Sequence, residues 1–377
     1  MQAWKFEKHM RLLLNLSLFV LLASARPLGA QQGYAAAADT ESNNQHKLVA
    51  AEGSLYLTYS RAVGGMPRVF VGVSADGRTW RSLGRVSEGG GAATLSTLAV
   101  DRRGRLHVAW TDFSGGAGSV YYRAYDRSWG LASRLSAGLP YAGYPSMDVD
   151  SRNRLHLVWY GIREASQGQP AAHGAIYEIY YLRHTAGWSR PLRLSGGFPD
   201  AVNPALAVGV EDRVHVAWFQ SDGQAFQIMY TRHDADWRTP QQLTSGTSPS
   251  TKPAIAVDAA GRVHLVWERL RGGRTVVEYM RGEGDRWTAA EEISASGSRH
   301  PTVGLWARGV FALWQDRDGA VVLRVFDGRW GPPRSIGRGD YPSATPWKPT
   351  PGARPHAAWT SPAGVRVVNL EPLLGRP

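Results

Sequence analysis

The sequence predicts an all-β chain, a single β-propeller of seven four-stranded blades with six or eight as the alternatives. Three observations carry that prediction. Tryptophan falls in two repeating columns, each repeat holds four short strand-like runs, and no segment sustains the apolar period of a helix.

The repeat is read directly. Residues 98–110 are LAVDRRGRLHVAW, 147–159 MDVDSRNRLHLVW, 206–218 LAVGVEDRVHVAW and 255–267 IAVDAAGRVHLVW. Weaker copies end at Tyr59, Trp314 and Trp359, so the anchors Tyr59, Trp110, Trp159, Trp218, Trp267, Trp314 and Trp359 are spaced 51, 49, 59, 49, 47 and 45 apart. A second column follows the first six anchors at Trp80, Trp129, Trp188, Trp237, Trp287 and Trp330, which places 12 of the 15 tryptophans at repeat positions.

The elements follow in order within each unit. The LAVD-type run is the first strand, and a tight turn such as Arg103-Gly104 or Ala260-Gly261 closes it. The RLHVAW-type run, rich in β-branched and aromatic residues, is the second. Neither alternates strictly with polar residues, as expected for strands covered on both faces. The third begins near Ile179, Ile228 or Val277, and the fourth follows the second tryptophan, as in Pro191-Leu192-Arg193-Leu194-Ser195. The last unit lacks its second tryptophan, and residues 34–45 are expected to supply a strand that completes it and closes the ring.

Composition bounds the rest. With Cys 0 the chain has no disulfides, thiolate metal sites or cysteine nucleophiles. Residues 1–30 show the charged, apolar and small-residue order of a secretory signal peptide: Lys5, Lys8 and Arg11 precede an apolar run that ends at Leu22. Its removal before Gln31, or after Ala23-Ser24-Ala25, leaves residues 31–45 as an N-terminal segment and 46–377 as the propeller. The run is too short to span a bilayer comfortably, so the expected product is a secreted or periplasmic monomer without a transmembrane segment. The net charge of +12 falls by three with that segment and favours anionic partners. No basic run points to nucleic acid.

Repeated residues read first as structure. His107, His156, His215, His264 and His356 share one column, three residues before the anchor, and each is expected to pack between blades with a hydrogen-bond partner. Five copies in five blades do not converge on one metal ion, and no metal or cofactor is expected. Arg183, Arg232 and Arg281 share a third-strand column, where surface or inter-blade pairing is expected.

The turn Ser74-Ala75-Asp76-Gly77-Arg78-Thr79-Trp80 resembles the Asp box, or BNR repeat, of the sialidase superfamily, one residue shorter than the family pattern. The resemblance implies a propeller whose boxes are structural and lie opposite the active site. It also implies, for an enzyme, an arginine triad, a tyrosine nucleophile with a supporting glutamate, and an aspartate acid/base. The early Arg-Ile-Pro motif of that family has no counterpart here, and family sialidase domains usually have six blades.

A site is expected at one mouth of the central channel, on loops that hold Asp112, Tyr141, Tyr144, Asp222, Glu268, Arg269 and Asp316. The enlarged third unit adds Arg163, Glu164 and His173. Carboxylates such as Asp112, Glu164 and Glu268 are candidates for a glycosidase pair. Asp316-Arg317-Asp318-Gly319 fits a plain turn better than calcium ligation. The leading expectation is therefore an exported propeller binding a glycan or another anionic cell-surface ligand. A glycoside hydrolase acting on anionic sugars and an envelope protein-interaction scaffold are the alternatives.

Overall fold

Each repeat builds one antiparallel sheet whose strands pair in chain order from the channel outwards. In the computed structural model, which describes residues 38–40, 46–164, 175–196, 200–307, 309–346 and 354–375, seven such blades follow one another. The expected signal segment lies outside the described residues. The third blade is Tyr141–Val149, Leu155–Glu164, Ala175–His184 and Leu192–Arg193, and the fourth is Val202–Val208, Val214–Ser221, Phe226–His233 and Gln241–Gln242. The seventh has three strands, Asp340–Ala344, His356–Ser361 and Gly364–Asn369.

The strand expected to complete the seventh blade goes elsewhere. Ala38–Asp39 pairs with Ser60 and Arg61 in the first blade. There Ser54–Val63 runs past the end of Leu48–Ala51, and its exposed backbone groups need partners. The segment still helps to close the ring, by side-chain contacts and not by strand pairing with the seventh blade. The Thr40 N–H donates to Thr360 Oγ1 at 2.8 Å, the Lys47 N–H donates to Ser343 Oγ at 3.2 Å, and Leu57 and Tyr59 pack on Ala358.

The core is seven hydrophobic clusters, each shared by two neighbouring blades. Trp110 packs on Val69 and Val71, Trp159 on Ala109 and Val120, Trp218 on Val158 and Ile179, and Trp359 on Phe311 and Leu323. The six anchor tryptophans are essentially inaccessible to solvent. Identical packing demands between blades explain why one large residue recurs at one position.

The second column does a different job. Trp188, Trp237, Trp287 and Trp330 meet edge-on the rings of Tyr122, Tyr181, Tyr230 and Tyr279 from the preceding blade, at 5.0, 4.8, 4.9 and 4.9 Å. Those tyrosine hydroxyls meet Nδ1 of His107, His156, His215 and His264 at 2.7, 2.8, 2.7 and 2.9 Å. The histidines are thus hydrogen-bonded within their own blade, and the neighbouring tryptophan seals the pair. Asp150 and Asp258 bond the far nitrogens of His156 and His264 while accepting amides of their tight turns. In the arginine column, Arg232 pairs with Asp285 of the next blade at 3.0 Å, whereas Arg183 is exposed.

Strand alternation sorts the loops into two faces. Turns after the inner strands and turns carrying the second tryptophans share one face. There Asp76 accepts the amides of Arg78 and Thr79 at 2.8 and 2.7 Å, and Trp80 Nε1 donates to the Gly77 carbonyl. Those amides, Arg78 and Thr79 foremost, lower the Asp76 pKa to about 2. Loops entering the inner strands and loops between second and third strands share the opposite face.

Candidate functional site

On that opposite face, six inner strands carry one irregularity at one level. Pairing skips between Thr94 and Thr97, Gly143 and Ser146, Val202 and Ala205, Thr251 and Ala254, Arg299 and Thr302, and Asp340 and Ser343. Each bulge holds one left-handed residue: Leu95, Tyr144, Asn203, Lys252, His300 or Tyr341, with φ of 54, 56, 56, 52, 53 and 51°. A non-glycine residue in this conformation costs on the order of 1 kcal/mol, and bulges re-aim side chains beside functional sites. In five of the six the next residue is proline, which has no N–H to lose where the ladder is broken.

The bulge ring divides into two sectors. In the aromatic sector, Tyr160 lies 5.7 Å from Tyr141, 5.3 Å from Tyr144 and 5.9 Å from Tyr177 between ring centres. Tyr141 and Tyr160 approach hydroxyl to hydroxyl at 3.4 Å, and burial pushes both pKa values well up, so both stay neutral. Glycine makes this packing possible: a Cβ on Gly143 would come within 2.7 Å of the Tyr141 hydroxyl.

The polar sector spans blades five to seven. Glu268, 4% exposed, accepts the His300 backbone N–H at 2.7 Å and pairs with Lys252 Nζ at 3.2 Å. Burial alone would raise the Glu268 pKa, but the Lys252 charge foremost, with the His300 backbone N–H, holds it below its ordinary value. His300 stacks on Tyr341 at 4.3 Å, and its Nδ1 meets Asp340 Oδ1 at 3.0 Å. Burial lowers the His300 pKa even against the Asp340 carboxylate. Nε2 of His300 makes no hydrogen bond to a described residue. Arg269 donates to Ser250 Oγ at 3.0 Å and the Ser245 carbonyl at 2.9 Å, and Arg299 donates to Gln315 Oε1 at 2.7 Å. Neither arginine makes an ion pair with a described carboxylate.

The expected site residues separate on this map. Tyr141 and Tyr144 meet in the aromatic sector, and Glu268 and Arg269 belong to the polar one. Asp112 instead accepts Trp110 Nε1 at 3.1 Å and the Ser114 amide at 2.9 Å. Asp222 accepts the amides of Gln224 and Ala225, both at 2.8 Å; burial raises its pKa, but the hydrogen bonds together outweigh burial and hold it below its ordinary value. Asp316 accepts those of Asp318 and Ala320 at 3.0 and 2.7 Å. These three carboxylates organise their own turns. Arg163 bonds Glu178 at 3.2 Å, Glu164 ends the strand Leu155–Glu164, and His173 lies outside the described residues. Asp112 and Glu268, two of the carboxylates considered for a glycosidase pair, sit on blades two and five, each with its own partners. Asn203, Lys252, His300 and Tyr341 were not anticipated. The recurring residue-proline pair at 144–145, 203–204, 252–253, 300–301 and 341–342 is the sequence signal that marks them.

Below the bulges the channel is lined by Ala205, Leu206, Ala254, Ile255, Thr302 and Val303. Among the described residues no group of His, Asp and Glu is placed to hold a metal ion, and no helix is long and apolar enough to cross a membrane.

No protein-family model matches the chain, and no curated protein matches it in sequence. Solved structures do match in shape. An ulvan lyase, "a new family of Polysaccharide lyase PL25" bound to -[GlcA(1-4)Rha3S]-, superposes with a TM-score of 0.62 at 13% identity over 90% of this chain and 96% of its own. The Hadza microbial sialidase Hz136 gives 0.53 at 13% over 84% and 74%, and a Dyadobacter fermentans protein of unknown function gives 0.55 at 14% over 73% and 93%. At such identities the likeness is one of fold, and it agrees with the blades described above: the chain is a seven-bladed β-propeller, similar in fold to these lyases and sialidases.

Proposed function

We propose that the propeller binds an acidic glycan at the bulged mouth of its channel. The observation that carries this reading is the pair Arg269 and Arg299, which make no ion pair with a described carboxylate, on the same ring of bulges as the tyrosine sector. A uronate or sialate offers a planar carboxylate for guanidinium groups and an apolar ring face for aromatic stacking. The structural neighbours, sialidases and polysaccharide lyases, support a sugar ligand, and the charged-then-apolar N-terminus supports export. The test is equilibrium binding to polygalacturonate and dextran. Preference for the charged polymer, weakened by salt and by Arg299→Ala, is expected; equal binding to both refutes it.

One observation favours a second reading, cleavage of the bound glycan. Asp340 orients the His300 ring, burial favours its neutral form, and Nε2 makes no hydrogen bond to a described residue. A neutral imidazole so held can take the C5 proton of a uronate as the C4–O4 bond breaks. The leaving oxygen collects a proton and a C4=C5 double bond remains. Conjugated-uronate absorbance that is absent in His300→Gln supports this reading. Intact polymer after prolonged incubation with the bound protein refutes it.

A further inference from the structure

We infer that Glu268 determines how many acidic groups the mouth accepts, because it neutralises Lys252 and ties together the bulges of two neighbouring blades. The inference rests on the acidic-glycan reading. Lys252 belongs to the fifth blade's bulge and His300 to the sixth's. Glu268 reaches both, at 3.2 Å to Lys252 Nζ and 2.7 Å to the His300 N–H. Its side chain is 5% exposed and that of Lys252 34%, so the carboxylate of the pair is the buried member and the lysine the more accessible one. A charge so buried is poorly screened by salt and stays in place when ligand arrives.

The consequence is an uneven cationic sector. Arg269 and Arg299 donate to neutral oxygens and make no ion pair with a described carboxylate, with only the longer-range field of Asp340 acting on Arg299, so both keep guanidinium charge for an incoming anion. Lys252 and Glu268 together present no net charge. One acidic group of a sugar is therefore attracted to the arginines, while a second, directed at Lys252, gains a hydrogen bond and little net Coulomb attraction. Glu268→Gln preserves an acceptor for the His300 N–H and removes only the charge. It is expected to convert Lys252 into a second anion site.

The test compares hyaluronan, with one acidic group per disaccharide, and chondroitin sulfate, with two, on the full chain. Wild type is expected to bind both comparably. E268Q is expected to raise the chondroitin sulfate to hyaluronan affinity ratio about tenfold at low salt, the scale of one added charge contact near a protein surface. Lys252→Met leaves the Glu268 charge unmatched and is expected to lower the same ratio. The double variant, neutral on both sides, is expected to return to the wild-type ratio. A folded E268Q with an unchanged ratio overturns the inference. Should E268Q not fold, an unchanged ratio in K252M overturns it. Wild type that binds neither polymer overturns the acidic-glycan reading itself.

Discussion

His215 gives the fold a pH dependence whose size follows from one substitution in the repeat. In the third and fifth blades a turn carboxylate, Asp150 or Asp258, bonds the far nitrogen of the column histidine. In the fourth blade Gly209 occupies that position, and among the described residues His215, 4% exposed, keeps only the Tyr230 hydroxyl as a side-chain hydrogen-bond partner. Burial, helped by the Arg232 charge, lowers its pKa to about 4 from 6.5. The unfolded chain therefore binds a proton between pH 6.5 and 4 that the folded chain refuses. Stability from this group is complete above the unfolded value and is lost as pH falls toward the folded one. Over the whole window the loss is about 3 kcal/mol, and about 2 kcal/mol of it has gone by pH 5. Equilibrium urea unfolding at pH 7.5 and pH 5 measures it, with His215→Gln as the non-titrating control. The variant is expected to lose about 2 kcal/mol less than wild type between the two pH values, whatever its baseline stability. Equal losses in both proteins would refute the assignment.

Other expectations follow from the same contacts. Trp159→Ala empties an inter-blade cluster and should cost about 3–5 kcal/mol in urea unfolding; a loss below 1 kcal/mol would mean the blades do not depend on their anchors. The folded pKa values of Asp150 and Asp258 are depressed, because hydrogen bonds from histidine and turn amides overcome burial. Their contribution is thus present above the unfolded carboxylate range and disappears as pH falls below it, so Asp258→Asn should flatten the acid limb of the stability curve below pH ~4. Gly143→Ala puts a methyl against the Tyr141 hydroxyl and should weaken glycan binding with a small change in melting temperature, read by titration and by thermal scan.

The fold was legible because packing repeats. Trp110, Trp159, Trp218 and Trp267 meet the same demand in successive blades, so one residue type recurs at one spacing. The mouth was not legible by that rule. Leu95, Tyr144, Asn203, Lys252, His300 and Tyr341 share a backbone conformation and differ in chemistry, because a site on a symmetric ring needs different groups around it. Only the prolines that follow five of them betray the column. Asp112, Asp222 and Asp316 show what residue type alone does not separate: a short carboxylate beside a turn bonds nearby amides first, and these three do. The closing strand was misplaced because residue counting showed a vacancy in the seventh blade but not the unpaired edge of Ser54–Val63 in the first.

The most direct test of an acidic-glycan mouth is a crystal structure of the full chain with an oligogalacturonate. The account predicts a carboxylate within hydrogen-bond distance of Arg269 or Arg299 and a sugar ring stacked on Tyr144 or Tyr177. An oligosaccharide bound on the face that carries the Asp76 turn, with the bulged mouth empty, would contradict it.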